Sequence, residues 1–188
     1  MHAGEGTGPK RSAILGLSHV IIAMEALNSR FADTALNVGR MWGGVASNTV
    51  PGTALALADI RYARAETEPT IRAAVAEICS TEYVPGVTCT ATETSFRPLW
   101  NRPEISRPLA GIAERLHGTW RPEAVEVPQS GTGDSNWFGA AGVPTLDGLG
   151  PVGSGEHTEN ERMHLPSLFD RVSLLARLML AIQEEMPG

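Results

Sequence analysis

The chain has 188 residues, of which 42% are hydrophobic and 19% are charged, and its formal net charge is −6. This composition is typical of a globular protein with a buried core, and it excludes the disordered and fibrous classes. The acidic balance and the short apolar stretches make nucleic acids and membranes poor partners. The sequence opens without a basic-then-apolar leader, so we expect a cytoplasmic location.

The first half of the sequence predicts a sheet covered by two helices. Apolar residues recur at helical spacing over residues 9–28, and a second helical pattern covers residues 67–79. Alternation of apolar and polar residues predicts strands at 36–42 and 54–63. Residues 87–96 alternate threonine with apolar side chains and are predicted as a third strand. The order helix, strand, strand, helix, strand indicates an α+β fold.

The second half begins after a stretch rich in proline and arginine at residues 97–103, which we predict to be a domain boundary. Beyond it, predicted helices and strands alternate, in the order helix 105–117, strand 124–127, strand 143–146 and helix 166–185. A glycine-rich turn at 130–134 and a loop at 148–162 connect these elements. Such alternation is typical of part of an α/β layer.

The sequence contains two cysteines, Cys79 and Cys89. Their spacing is not that of a metal-binding pair, and two cysteines are too few for a disulfide-based scaffold. We therefore expect both to be buried free thiols.

Four segments together match a known enzyme family in order and spacing. They are His-Ala-Gly at 2–4, Ser-Asn-Thr-Val-Pro at 47–51, Asp-Ile-Arg-Tyr at 59–62, and Gly-Leu-Gly at 148–150 followed by His-Thr-Glu-Asn-Glu at 157–161. Through these segments the chain resembles the zinc-dependent metallopeptidase and aminoacylase family, which includes glutamate carboxypeptidase, acetylornithine deacetylase and succinyl-diaminopimelate desuccinylase. The resemblance extends over essentially the whole chain.

The resemblance implies a two-part organisation. Residues 1–97 correspond to the lid or dimerisation domain without its first strand, and residues 98–188 to the C-terminal portion of the catalytic domain. The implied fold is α+β, with an antiparallel lid sheet and two helices followed by a partial α/β catalytic layer. In the family, the preceding part of the catalytic domain supplies most zinc ligands and the general base. We therefore expect zinc in the parent family, but no stable zinc binding by this chain alone.

The resemblance also implies roles for six residues. His157 matches the C-terminal metal ligand, and His2 matches a lid histidine that stabilises the oxyanion in the partner subunit's active site. The other four match residues that bind the substrate or its carboxylate: Asn48, Arg61, Gly131 and Thr132.

Each of these residues also has a purely structural interpretation. A lone loop histidine such as His157 is commonly exposed, and residue 2 of a chain is commonly frayed. Arg61 shares a strand face with Asp59 and can pair with it in a surface salt bridge. Asn48 is also typical of a turn, and a glycine-rich loop is common between a strand and a helix.

Three functional hypotheses remain open at this point. In the first, the chain is the C-terminal half of a co-catalytic zinc amidohydrolase or carboxypeptidase that acts on N-acyl amino acids or peptides with a free carboxylate. A separate chain would then supply the metal-binding half. In the second, it is a non-catalytic dimeric module that binds carboxylates or organises an assembly. In the third, His2 or His157 performs metal-free acid–base chemistry. The lid implies a homodimer.

Overall fold

A computed structural model describes residues 2–5, 8–100, 103–118 and 131–186. The chain divides into two compact units, Met1–Leu99 and Trp100–Gly188. Helices and antiparallel strands together confirm the predicted α+β class. The predicted strand at 124–127 lies outside the described residues.

The first unit begins with two consecutive helices, α1 (Ala13–Glu25) and α2 (Leu27–Arg30), where the sequence predicts one long helix. Ser12 caps α1, because its hydroxyl accepts a hydrogen bond from the Leu15 amide at 3.3 Å. A third helix, α3 (Thr67–Ser80), has Glu68 in its first turn. A negative charge there stabilises the helix by interacting with the positive end of its dipole.

The sheet of the first unit is an antiparallel hairpin of β1 (Thr34–Gly43) and β2 (Ala54–Tyr62). Its register shifts between Val38 and Arg40, which marks a β-bulge. Residues of α2, β1 and α3 meet in one core cluster, consisting of Leu27, Leu36 and Ala74. Burial of these apolar side chains fixes which face of the hairpin packs on the helices.

Side chains from the helices occupy part of the edge of β1. Asn28 donates to the carbonyl oxygen of Leu36 at 2.8 Å and accepts from the Leu36 amide at 2.7 Å. Glu25 accepts from the Val38 amide at 2.7 Å. Here two helical side chains satisfy backbone groups that a neighbouring strand would otherwise satisfy.

Residues 87–96 follow α3 and return along it, but they form no strand, so the predicted third strand is wrong. Side chains hold the segment to the helix instead: Arg72 pairs with Glu93 at 2.9 Å and lies 5.3 Å over the ring of Phe96. Arg72 also bonds to Glu68, which accepts from the hydroxyl of Tyr62 at 2.8 Å. The Tyr62 hydrogen bond, followed by contacts with Arg72, lowers the pKa of Glu68.

The second unit contains α4 (Pro103–Gly118), α5 (Ser135–Ala140) and α6 (Leu165–Glu185), with a short hairpin of β3 (Gly153–Ser154) and β4 (Arg162–Met163). Its core joins α4 to α6 through Leu109, Ile112 and Leu178. No helix in the described parts of the chain is long and apolar enough to cross a membrane.

The strand predicted at 143–146 is also wrong. The Thr145 amide donates to the hydroxyl of Ser106 at 3.0 Å, so a side chain on α4 takes the position of a strand partner. Residues 143–146 therefore contact a helix through Thr145 and Leu146 and do not join a sheet.

Candidate functional site

The loop between β1 and β2 lies against the N-terminal residues. His2 forms an isolated antiparallel bridge with Thr49, and the Ala3 amide donates to the carbonyl oxygen of Asn48 at 2.7 Å. The ammonium of Lys10 donates to the Ala3 carbonyl and holds the same segment in place. The structure thus brings His2 and Asn48, two of the predicted lid residues, into adjacent backbone segments.

A backbone hydrogen bond orients the imidazole of His2. Its Nδ1 accepts from the Gly4 amide at 3.1 Å. When Nδ1 accepts, a neutral ring carries its proton on Nε2 and therefore presents an N–H donor on its other side. Both His2 and Asn48 are exposed, so this donor and the Asn48 amide are accessible to a ligand.

Arg61 lies on β2, opposite Ala35 and at the far end of the strand from the loop. The seven residue-to-residue steps from Ala54 to Arg61 extend about 23 Å along a strand. The guanidinium of Arg61 donates to both carboxylate oxygens of Asp59, at 2.9 and 3.2 Å, and this hydrogen bonding raises the pKa of Arg61. The structure therefore contains the surface salt bridge that was the alternative interpretation of this arginine, and a substrate carboxylate would compete with Asp59.

Gly131 and Thr132 are exposed and precede α5 in the second unit, and Ser130 lies outside the described residues. The following amide, that of Gly133, donates to the side-chain oxygen of Asn136 at 2.9 Å. A ligand at this loop would therefore have to use the backbone of Gly131 and Thr132 and the Thr132 hydroxyl, because Asn136 already occupies the next donor.

His157 lies in the turn between β3 and β4, in a left-handed backbone conformation with φ of 63°. This conformation costs a non-glycine residue about 1–2 kcal/mol. Two hydrogen bonds hold the turn, from the amide and the hydroxyl of Thr158 to the Gly155 carbonyl, at 3.1 and 2.7 Å. Strain of this kind persists at functional positions when surrounding contacts impose it. No pattern in the sequence indicates this conformation.

A complete zinc site requires three or four protein ligands. Among the residues that the structure describes, no three histidine, cysteine, aspartate or glutamate side chains are grouped closely enough to hold a metal ion. Within those residues His157 is therefore a single potential metal ligand, and a zinc site would need further ligands from elsewhere.

A cleft of about 330 Å³ in the second unit contains none of the predicted site residues. Its lining combines apolar and charged side chains of α4 and α6, among them His117, Asp170, Arg171 and Arg177. The α6 residues recur at the spacing of one helical face, and this is the sequence signal that could have identified the cleft.

Comparison with known proteins shows what these features are similar to. Residues 1–87 match the family model of the peptidase dimerisation domain, M20_dimer. Carboxypeptidase G2 from Pseudomonas sp. (strain RS-16) is 24% identical over 184 residues, which cover 95% of this chain and 44% of that protein. Aminoacylase-1A from Rattus norvegicus is 27% identical over 166 residues, which cover 84% of this chain and 39% of that protein.

Solved structures share the fold. The chain matches a tripeptidase from Staphylococcus aureus with a TM-score of 0.68 and 22% identity, over 98% of this chain and 49% of the other. It matches the aminopeptidase PepT from Bacillus cereus with a TM-score of 0.60 and 20% identity, over 95% of this chain and 47% of the other. The chain thus spans less than half the length of these relatives and structures.

Proposed function

Because residues 1–87 of this chain match the model of the peptidase dimerisation domain, M20_dimer, we propose that the chain is part of a co-catalytic zinc amidohydrolase or carboxypeptidase. Residues 1–97 form its lid and residues 98–188 the C-terminal portion of its catalytic domain. The substrates are N-acyl amino acids or peptides with a free carboxylate, a class suggested by the names of the carboxypeptidase and aminoacylase relatives.

The observation that carries this proposal is the placement of His2 beside the Asn48 loop. The Nε2–H of His2 is a donor that can stabilise the oxyanion of a tetrahedral intermediate, and one such donor typically contributes about 10²–10³-fold to the rate. The exposed amide of Asn48 adds a second polar group from the neighbouring segment. In a homodimer formed through the lid, these groups would act in the active site of the other subunit.

Arg61, Gly131 and Thr132 are proposed to bind the substrate carboxylate. For Arg61 this requires an exchange of partners, since the substrate would replace Asp59 at the guanidinium. Such an exchange is accessible because about half of each side chain in this ion pair is exposed to solvent. The two loop residues would add a hydroxyl and backbone amides.

Zinc is the expected metal of the assembled enzyme, with His157 as one ligand. The remaining ligands and the general base would come from outside the described residues, either from a longer form of this protein or from a separate chain. The cytoplasmic location expected from the composition stays a prediction.

The test is complementation. The full chain would be mixed with zinc and with an N-terminal catalytic-domain polypeptide that carries the His-x-Asp and Glu-Glu motifs, and release of free amino acid from N-acyl amino acids would be measured. We expect turnover only in the mixture, with a loss of about 10²-fold or more for His2→Ala. His164→Ala removes an exposed histidine that has no proposed role, and it should retain full activity.

Two results would contradict the proposal. One is tight, stoichiometric zinc binding by the chain alone in equilibrium dialysis, because the proposed site is incomplete without other ligands. The other is a mixture in which His2→Ala and His164→Ala are equally active, because the histidine beside the Asn48 loop would then have no role in turnover.

A non-catalytic dimeric module is the second candidate, and exposed apolar side chains on the first unit favour it. Leu15 and Ile22 lie seven residues apart on α1 and are 49% and 69% exposed. If this helix face contributes to a homodimer, Ile22→Glu should shift the chain to monomer in sedimentation experiments. A dimer that binds N-acyl amino acids but hydrolyses none in the complementation mixture would favour this candidate over the enzyme.

A further inference from the structure

Cys79 and Cys89 face each other in the first unit. Cys79 lies in the last turn of α3 and is 9% exposed, whereas Cys89 is half-buried in the segment that returns along the helix. Both are free thiols. They come together because the chain turns after α3 and returns along the helix.

Two contacts hold residues 87–93 alongside α3. At one end, Arg72 binds Glu93 at 2.9 Å, and at the other the Val87 amide donates to the Val84 carbonyl at 2.9 Å and closes the turn after the helix. From Arg72 to Cys79 the helix rises about 10 Å. From Glu93 back to Cys89 an extended chain covers about 13 Å. This path brings Cys89 alongside the last turn of α3, where its thiol and that of Cys79 share a hydrogen bond.

The environments of the two thiols differ. Burial, followed by a hydrogen bond with the Cys89 thiol, raises the pKa of Cys79 to about 11. At neutral pH Cys79 therefore stays protonated, and Cys89, the more exposed of the two, is the thiol that reaches a reagent first.

We propose that Cys79 and Cys89 are an oxidative modification site, which closes to an intramolecular disulfide on reaction with a small-molecule disulfide such as oxidised glutathione. The Cys89 thiolate attacks one sulfur of oxidised glutathione, forms a mixed disulfide and releases one glutathione. Cys79 then gives its proton to solvent and attacks the Cys89 sulfur, and the second glutathione leaves as a thiolate that takes up a proton. Two protein thiols are oxidised, and one oxidised glutathione is reduced to two glutathione molecules.

The bond would fasten residues 87–96 to α3 in addition to the Arg72 contacts. This segment leads out of the first unit and is held by side chains, without a strand ladder. Oxidation should therefore slow local opening of this segment more than that of the β1–β2 hairpin. The inference concerns a site apart from His2 and Asn48 and does not depend on the proposed enzymatic function.

The experiment treats the full native chain with oxidised glutathione and then analyses non-reduced proteolytic peptides by mass spectrometry. We expect a peptide pair cross-linked between Cys79 and Cys89, no free thiol, and slower amide exchange over residues 87–96 after oxidation. Cys79→Ser should stop at a stable mixed disulfide on Cys89. Cys89→Ser should leave Cys79 unmodified in the native state, because this thiol is buried.

Three outcomes would overturn the inference. The wild-type chain could accumulate the mixed disulfide on Cys89 without closing, form disulfides between chains, or remain fully reduced under conditions that modify Cys79→Ser. The wild-type measurement decides the matter even if a serine variant fails to fold, since circular dichroism identifies such a variant and the cross-linked peptide needs no substitution.

Discussion

The two units hold their elements together in different ways. Polar contacts join distant parts of both, such as Arg72 to Glu93 in the first and Arg115 to Glu185 in the second, but the core of the first joins two helices to a strand. In the second, one helix pair supplies the core, and α6 also carries many exposed apolar side chains: Leu165, Phe169, Val172, Leu175, Met179 and Leu180. The second unit therefore presents an apolar face of α6 that a partner could cover.

The first unit also exposes apolar residues, on α1 at Leu15 and Ile22, on β2 at Leu57, and at the loop end of the hairpin. Met41, Trp42, Val45 and Leu55 lie at the loop end of the hairpin, near the segment that contains Asn48. Exposed apolar groups beside polar ones are typical of binding surfaces. The comparison teaches that part of the exposed apolar surface of the first unit lies beside the candidate site, whereas that of the second extends along α6.

The largest expected effect tests whether the units unfold separately. Leu36→Ala and Leu178→Ala each remove a side chain that is 4% exposed, and each should lower the free energy of unfolding by about 2–5 kcal/mol. Hydrogen-exchange mass spectrometry should show faster exchange in the first unit for Leu36→Ala and in the second for Leu178→Ala.

Matched controls are Leu57→Ala and Leu180→Ala, whose side chains are exposed and whose loss should cost little. If either core variant accelerates exchange throughout both units, the units form one cooperative structure and the contrast between them is wrong.

A medium effect is expected where side chains replace strand partners. Asn28→Ala removes both hydrogen bonds to Leu36 and should cost about 1–3 kcal/mol, because a buried amide and carbonyl lose their partners. Ser106→Ala removes the single acceptor of the Thr145 amide in the second unit and should cost less. Urea denaturation would measure both.

Asn28→Asp refines this prediction, since it keeps the acceptor for the Leu36 amide but loses the donor to the Leu36 carbonyl. Because the new carboxylate would face the Glu25 carboxylate and the Leu36 carbonyl, we expect this variant to be no more stable than Asn28→Ala at neutral pH. Equal stability of Asn28→Ala and the wild type would show that water replaces the asparagine at no cost.

The smallest expected effect concerns the strained turn of the second unit. His157→Gly should stabilise the protein by about 0.5–1 kcal/mol, because glycine adopts a positive φ without steric cost but loses more freedom on folding. His157→Ala retains a Cβ and should bring no gain. The difference between the two variants in denaturant unfolding measures the strain, and no difference would mean that the turn is unstrained.

The sequence predicts the first unit well where local pattern and packing agree. The strands at 36–42 and 54–63 are present because their alternation places Leu36, Val38 and Ile60 against the helices. Residues 87–96 and 143–146 have a similar alternation, but a strand also needs a partner with free backbone groups. Arg72 and Ser106 bind those segments instead, and such contacts depend on the tertiary arrangement.

The candidate site was predictable in its residue types but not in its geometry. Family motifs identify His2 and Asn48, whereas their proximity depends on a bridge between residues far apart in sequence. The sequence predicts the Arg61–Asp59 salt bridge as the alternative to substrate binding, because both residues share one strand face. The sequence does not predict the left-handed backbone of His157, since this conformation arises from the hydrogen bonds between Thr158 and Gly155.

The side chains that occupy the β1 edge have a further consequence for self-association. A β-strand from another molecule that approached this edge would find the amide and carbonyl of Leu36 already bound to Asn28 and the Val38 amide already bound to Glu25. Exposed strand edges template uncontrolled polymerisation, and natural sheets commonly shield them. This part of the hairpin is thus protected against amyloid-like stacking, and Asn28→Ala should expose it.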